Sequence, residues 1–256
     1  MSELMGIYAI WYREFKVFLR ERSRVIGSIV TPIMWLVVFG GGLGSSVSIS
    51  GVGYQTFIYP GILIMSVIFS SIFFGVYIVW DRKIDFLKEV LVAPITRISM
   101  FIGKVLGGAT DSMIQSMLLL GVGVLLMGMG VISGISLNAF TVLATLGILF
   151  IATVGAVSIG LIIGSLMESP QGFQLVGSFL IFPLFFLSGA LFPIDNLPAW
   201  LAPLNAMDPF TYSVDAVRGV LIGANHFSLA MDLAVASVFS IVMIFIGSYA
   251  FKKMKI

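Results

Sequence analysis

The chain has 256 residues, 59% of them hydrophobic and only 10% charged, with a mean hydropathy of +1.12. A soluble domain carries roughly 25% charged residues, so this composition excludes a soluble globular enzyme and a disordered chain alike. With no cysteine and a single histidine, His226, it also excludes disulfides, thiolate chemistry and a multi-histidine zinc site within one chain.

From the N-terminus, residues 4–24 have the spacing of an amphipathic helix. Leu4, Ile7, Trp11, Phe15 and Phe18 recur at steps of three and four, while Arg13, Lys16, Arg20 and Arg24 step along another face. A basic face beside an aromatic one predicts that residues 1–24 lie in a membrane interface, with Trp11, Arg13, Phe15 and Lys16 as contact residues. A plain juxtamembrane anchor fits this pattern, and so does a helix that also meets a cytoplasmic partner.

Residues 25–80 and 112–167 carry no charge at all. One membrane-spanning helix needs about 20 apolar residues, so each block holds two helices and a turn. Gly40, Gly41 and Gly42 with residues 48–53 mark the first turn; residues 128–134 with Ser136 and Asn138 mark the second. Two further apolar segments follow at 169–191 and 229–251. The predicted fold class is an all-α polytopic membrane protein. Its six transmembrane helices fall near 25–43, 57–80, 105–129, 139–167, 170–191 and 229–251.

Between spans two and three, Ile84, Leu87 and Leu91 recur at helical spacing among Arg82, Lys83, Asp85, Lys88 and Glu89. Pro94 disfavours helix at Ala93, and a second helix can start near Thr96 and run into span three. This stretch is either a docking element for a cytoplasmic protein or an interfacial loop. Between spans five and six, residues 192–228 hold Pro193, Pro198, Pro203 and Pro209, three aspartates, and Trp200, Phe210 and Tyr212. Asp208 followed by Pro209 reads as an N-cap and first helical position, and Gly223 reads as the stop. Asp215 and Arg218 lie one turn apart and are expected to pair. The segment is too short to span; it predicts an outward re-entrant helical hairpin over 192–223, tolerated where protein covers its backbone.

Thirteen of the fourteen Lys and Arg residues fall in the N-terminal segment, in 82–104 and at the C-terminus; only Arg218 falls on the other side. The positive-inside rule therefore places both termini in the cytoplasm. The phosphate-cradling pattern G-x-x-x-x-G-K-[ST] is absent, since the one Gly-Lys pair, Gly103 and Lys104, is followed by Val105. No intramembrane protease motif is present either. Among ionisable residues within the spans Asp111 stands out, and a helix-end polar contact accounts for it as well as a proton relay does.

Four features together give the whole chain a resemblance to the permease subunit of type-2 ATP-binding-cassette (ABC) exporters, the daunorubicin-resistance and nodulation-factor type. The first is the basic amphipathic segment before six spans. The second is Val92-Ala93-Pro94-Ile95-Thr96-Arg97 followed by Gly103-Lys104, similar to that family's motif between spans two and three. The third is Leu187-Ser188-Gly189-Ala190-Leu191-Phe192-Pro193 with Leu197-Pro198-Ala199-Trp200-Leu201. The fourth is Asp208-Pro209-Phe210-Thr211-Tyr212-Ser213-Val214-Asp215-Ala216-Val217-Arg218, where Asp208 stands in place of the family's usual Asn.

The resemblance implies one transmembrane domain over 1–256 in the cell membrane, working as a homodimer with two copies of a separately encoded ATPase. Residues 82–96 would be its coupling helix, with Arg82, Lys83, Asp85, Leu87, Lys88, Glu89, Leu91, Pro94 and Arg97 against the ATPase. Pro193, Trp200, Asp208, Pro209, Tyr212, Asp215 and Arg218 would shape the outward hairpin. ATP and Mg would sit on the ATPase, with no cofactor, metal or catalytic residue on this chain. Membrane lipids are expected partners and nucleic acid is not. The implied activity is export of an amphipathic, lipid-linked or drug-like substrate. An ion-gradient-driven secondary transporter and a lipid-modifying membrane enzyme using Asp208, Asp215 and His226 remain as alternatives.

Overall fold

Where the sequence runs longest without charge, the chain is helical. A computed structural model describes residues 3–44, 48–49, 51–92 and 95–254; for Arg22, Ser23, Arg24, Lys88, Glu89, Leu91 and Asn196 it describes the backbone alone. Helix α1 (Glu3–Arg20) breaks at Glu21, and α2 (Arg22–Trp35) continues through a π-helical turn (Leu36–Gly40) into α3 (Gly41–Gly44). A two-stranded hairpin, β1 (Ser48–Ile49) and β2 (Val52–Gly53), turns at Gly51, whose φ of +80° glycine adopts without steric cost. Helices α4 (Tyr54–Phe74) and α5 (Val76–Lys83) join at Gly75, and α6 (Phe86–Val92) follows. Then come α7 (Arg97–Gly128), α8 (Ala139–Leu166) and α9 (Pro170–Leu187). The short helices α10 (Ala202–Met207) and α11 (Pro209–Ile222) precede α12 (Leu229–Lys253).

Among the described residues, six helical stretches are long and apolar enough to cross a membrane: Val25–Gly44, Tyr54–Lys83, Arg97–Gly128, Ala139–Leu166, Pro170–Leu187 and Leu229–Lys253. Their number and order match the sequence pattern. Helix α7 begins at Arg97, as expected of a helix that starts near Thr96 and runs into span three, and so carries Lys104 inside the helix. Thr96 caps it by accepting a hydrogen bond from the Ser99 N–H at 3.2 Å. The N-terminal helix stops earlier than its spacing predicts, leaving Arg22 and Arg24 to α2.

A helix that is apolar on every side must be buried, and α4 occupies the middle. Ile58, Tyr59, Ile62, Leu63, Ile64, Val67, Ile68 and Ile72 are wholly inaccessible, packed among residues of α7, α8, α9 and α11. Glycine allows the closest crossing. A Cβ on Gly160 would fall 2.2 Å from the Ile72 carbonyl, and one on Gly164 would fall 2.2 Å from the Gly75 carbonyl. This Gly160/Gly164 pair is thus a real small-residue contact between α8 and the α4–α5 joint. By contrast, α9 and α12 expose Leu175, Phe179, Val238, Phe245 and Tyr249. Apolar faces of that kind call for lipid or another chain.

The two ends of the bundle are tied differently. At one end the Glu3 carboxylate accepts from the Thr96 N–H at 3.2 Å and from the Ser99 hydroxyl, which holds it below the usual carboxylate range. There Arg97 donates to the carbonyls of Phe251, Lys252 and Met254 at 3.3, 3.1 and 2.8 Å. The start of α1, the start of α7 and the end of α12 therefore meet. At the other end the Tyr54 hydroxyl donates to the Leu191 carbonyl at 3.1 Å and the Ser136 N–H to the Leu221 carbonyl at 2.8 Å.

Candidate coupling site

Four charges from three helices converge where α1, α5 and α7 meet. Arg13 and Glu14 come from α1, Asp81 from α5 and Lys104 from α7. The Lys104 ammonium donates to Glu14 Oε1 at 2.8 Å and to Asp81 Oδ2 at 2.5 Å. The Arg13 guanidinium donates to Glu14 Oε1 and to Asp81 Oδ1, both at 2.7 Å. Glu14, Asp81 and Lys104 are 2%, 3% and 1% exposed, so solvent neutralises almost none of this charge. Burial alone would weaken the hold of Arg13 on its proton, but Asp81 and Glu14 more than offset it and raise its pKa. The four charges sum to zero, which is what makes their burial tolerable.

Local sequence builds this joint. Gly103 and Gly107 lie one turn apart on α7, and a Cβ at either would collide with Ile10 or Glu14. Their absent side chains let α1 lie directly on α7. The stripe of α1 buried within the protein is Gly6, Ile10, Glu14 and Phe18; of the Leu4, Ile7, Trp11, Phe15 and Phe18 face expected in a membrane interface, only Phe18 belongs to it. Leu4 is 77% exposed. Trp11 and Phe15 are half-buried, and the Trp11 indole N–H donates to the Thr110 hydroxyl at 2.9 Å. Lys16 is exposed, over the Tyr12 ring.

The joint reaches the proposed coupling segment through Arg13, whose guanidinium carbon sits 3.7 Å from the centre of the Phe86 ring, at the first residue of α6. That segment is not one helix over 82–96. It breaks at Ile84 and Asp85, and Asp85 has φ of +57°, a left-handed conformation that aspartate tolerates better than most residues. Arg82 is already engaged, donating to the Met167, Gly164 and Ser165 carbonyls at 3.1, 3.3 and 3.0 Å, where it caps the end of α8. Arg97 caps α12 in the same way. Leu87, expected as an anchor for a partner, is inaccessible inside a core with Phe74, Ile78, Phe101 and Phe251. Lys83 and Asp85 are exposed. The side chains of Lys88, Glu89 and Leu91, and the whole of Pro94, lie outside the described residues. Two residues not singled out as contacts present apolar surface here instead: Ile84, 64% exposed, and Val92, 88% exposed.

The opposite end carries the second predicted group. Asp208 caps α11, accepting from the Phe210 N–H at 2.9 Å, and Pro209 is its first residue. Gly223 ends it at φ of +75°. Asp208 is 4% exposed, and burial pushes its carboxyl up to about 8 against the opposing Phe210 hydrogen bond. The Tyr212 hydroxyl donates to the Ala206 carbonyl at 3.0 Å. Asp215 and Arg218 do not form the expected ion pair. Asp215 accepts from the backbone N–H groups of His226 and Phe227. Arg218 donates to the Gly189 carbonyl at 2.9 Å and lies over the Phe57 ring at 4.0 Å. Burial lowers Arg218 to about 10, with Asp215 pulling the other way. Pro193 is half-buried and Trp200 is 71% exposed.

Glu14, Asp81 and Lys104 were not singled out by spacing. The signals in the sequence are that Gly103-Lys104 belongs to the family-like pattern between spans two and three and that Gly103 lies one turn before Gly107.

Six helices long and apolar enough to cross a membrane among the described residues, two of them tied to α1 by a buried neutral charge cluster, describe a multi-pass membrane protein. The chain belongs to the ABC-2 type transporter family, whose model matches residues 5–222. It is similar to nodulation protein J of Rhizobium leguminosarum bv. viciae, with 25% identity over 239 residues, 91% of this chain and 89% of that protein. It is also similar to the inner membrane transport permease YadH of Escherichia coli (strain K12), with 25% identity over 253 residues, 96% of this chain and 91% of that one. Such permeases are membrane subunits rather than enzymes, and the family implies an ATP-binding-cassette partner.

Proposed function

We propose that this chain is the membrane-spanning half of an ATP-driven exporter, moving an amphipathic, lipid-linked or drug-like substrate out of the cytoplasm as a homodimer with two ATPase subunits. ATP and Mg are held by those subunits. Both termini and residues 82–96 face the cytoplasm, where the positive-inside rule puts the basic residues. Helix α1 lies in the inner interface, and residues 192–223 dip into the outer leaflet over the exit of the pathway. The observation that carries this reading is the buried joint of Arg13, Glu14, Asp81 and Lys104. It locks α1, α5 and α7 together directly beside α6, so a push on α6 reaches two spans as a rigid-body displacement.

Docking is centred on Ile84 and Val92, whose apolar side chains stand in solvent in the single chain. A well-packed apolar anchor contributes on the order of 1–2 kcal/mol at an interface, and 1.4 kcal/mol is tenfold in affinity. Ile84→Asp with Val92→Asp is therefore expected to cut co-purification of the ATPase at least tenfold, with membrane insertion unchanged. Undiminished recovery would return residues 82–96 to a plain interfacial loop.

A further inference from the structure

Between α2, α4 and α7 lies a cavity of about 230 Å³. Its α4 wall has two stripes. Ser66 and Ser70 lie one turn apart, as do Phe69 and Phe73 beside them, so a row of hydroxyls runs next to a row of phenyl rings. Gln115 of α7 closes the floor and Thr31 of α2 stands at the rim. Among the described residues, no Asp, Glu, Lys, Arg or His lines the cavity.

Gln115 is the telling residue. It is 1% exposed, and both its amide oxygen and its amide nitrogen lack a hydrogen-bond partner among the described residues. A primary amide offers two donors and an acceptor, and leaving all of them dry inside a bundle is costly. The neighbouring polar groups do not relieve it. Ser70 donates to the Ser112 hydroxyl at 2.9 Å, and the Ser71 hydroxyl bonds Ser112 at 2.8 Å, so the nearest α4–α7 hydrogen bonds are closed among serines. The amide faces a space instead of a side chain.

We infer that this cavity is a binding subsite for an uncharged, hydroxyl-rich head group. Adjacent hydroxyls can donate to the Gln115 oxygen and accept from its nitrogen at once. Ser66 and Ser70 can meet further hydroxyls, and Phe69 and Phe73 cover the apolar face of a ring. A charged group would enter with no counter-ion in the wall and lose its hydration. The volume is below the roughly 300–1,000 Å³ of drug-sized pockets, so the site takes one ring or head group and leaves the remainder of an amphiphile to the membrane. The inference deepens the transport reading and rests on it for its purpose, but the binding itself needs no ATPase.

The test uses the full chain in phosphatidylcholine nanodiscs with monoglucosyl dioleoylglycerol as probe, bound copies being counted by native mass spectrometry. One saturable copy per chain is expected, with occupancy at least tenfold lower in Gln115→Leu. That variant should melt no lower than the parent, because it removes a dry amide, so its loss of binding is not unfolding. Should it fail to fold, Ser66→Ala carries the test, with a several-fold loss expected. Competition by methyl glucoside would show that the site reads the sugar from water; no competition would show that it reads the sugar on a lipid. Either result supports the inference. It is overturned if Gln115→Leu binds as well as the parent, or if sugar-free dioleoylglycerol does. Equal competition by phosphatidic acid or by tetraphenylphosphonium overturns it too, because the site would then be reading charge or apolar bulk. ATPase co-purification run in parallel separates the two claims, since intact docking with no glucosyl-lipid binding faults this cavity alone.

Discussion

Lys104→Ala is expected to destabilise the protein by about 3–5 kcal/mol, the range for breaking a buried ion pair by removing one partner. The lysine is the one group that contacts both carboxylates from α7. Without it, Glu14 and Asp81 share Arg13 and carry a net negative charge away from solvent. Restoring neutrality should recover much of the loss. In a double-mutant cycle, Lys104→Ala with Asp81→Asn should therefore cost clearly less than the sum of the two single changes. Thermal unfolding in detergent at constant salt measures all four corners. Additive losses, or a loss below about 1 kcal/mol for Lys104→Ala, would mean that water or protonation already neutralises the cluster.

A second large effect is set by pH at the other end of the bundle. Burial pushes the Asp208 carboxyl up to about 8, far above the ordinary carboxylate range. An acid raised in the folded state stabilises the fold while protonated. That contribution is complete below the unfolded value and is lost as pH rises through the folded one. Between pH 6 and pH 9 the loss is about 3 kcal/mol, at 1.36 kcal/mol per unit over the window in which only the folded state holds the proton. Asp208→Asn retains the cap on Phe210, because asparagine caps as well as aspartate, and it cannot ionise. The variant should lose this slope and be the more stable protein at pH 9. Parallel curves for the two proteins would show that Asp208 is charged in the folded state.

The spans were legible because membrane burial needs long uncharged runs, and two of those runs exceed the length of a single helix. The ends of α11 were legible because an Asp-Pro start and a glycine stop are local chemistry. The α6 region was only half legible. Its helical spacing treated Ile84, Leu87 and Leu91 as one face, whereas the left-handed Asp85 rotates Leu87 into the core and leaves Ile84 outside. Of the charge joint only fragments were legible, Arg13 on α1 and the Gly103-Lys104 pair, with nothing local to bring them together. Lys104 counted as a residue outside the membrane because charge ends a span. Its neutralisation depends on carboxylates 90 and 23 positions away in sequence, and that pairing follows from α1 lying on Gly103 and Gly107. The same long-range packing took Asp215 and Arg218 from each other, because backbone groups at His226, Phe227 and Gly189 arrive first.

The central claim is that an ATPase engages this chain at α5 and α6 and nowhere at the opposite end. The chain has no cysteine, so single cysteines bearing benzophenone can be placed at positions 84, 92 and 200, whose native side chains are 64%, 88% and 71% exposed. Irradiating membranes that contain the co-expressed ATPase should link it to positions 84 and 92 and leave position 200 unlinked. A link from position 200, or none from either 84 or 92 while the complex still co-purifies, would contradict the account.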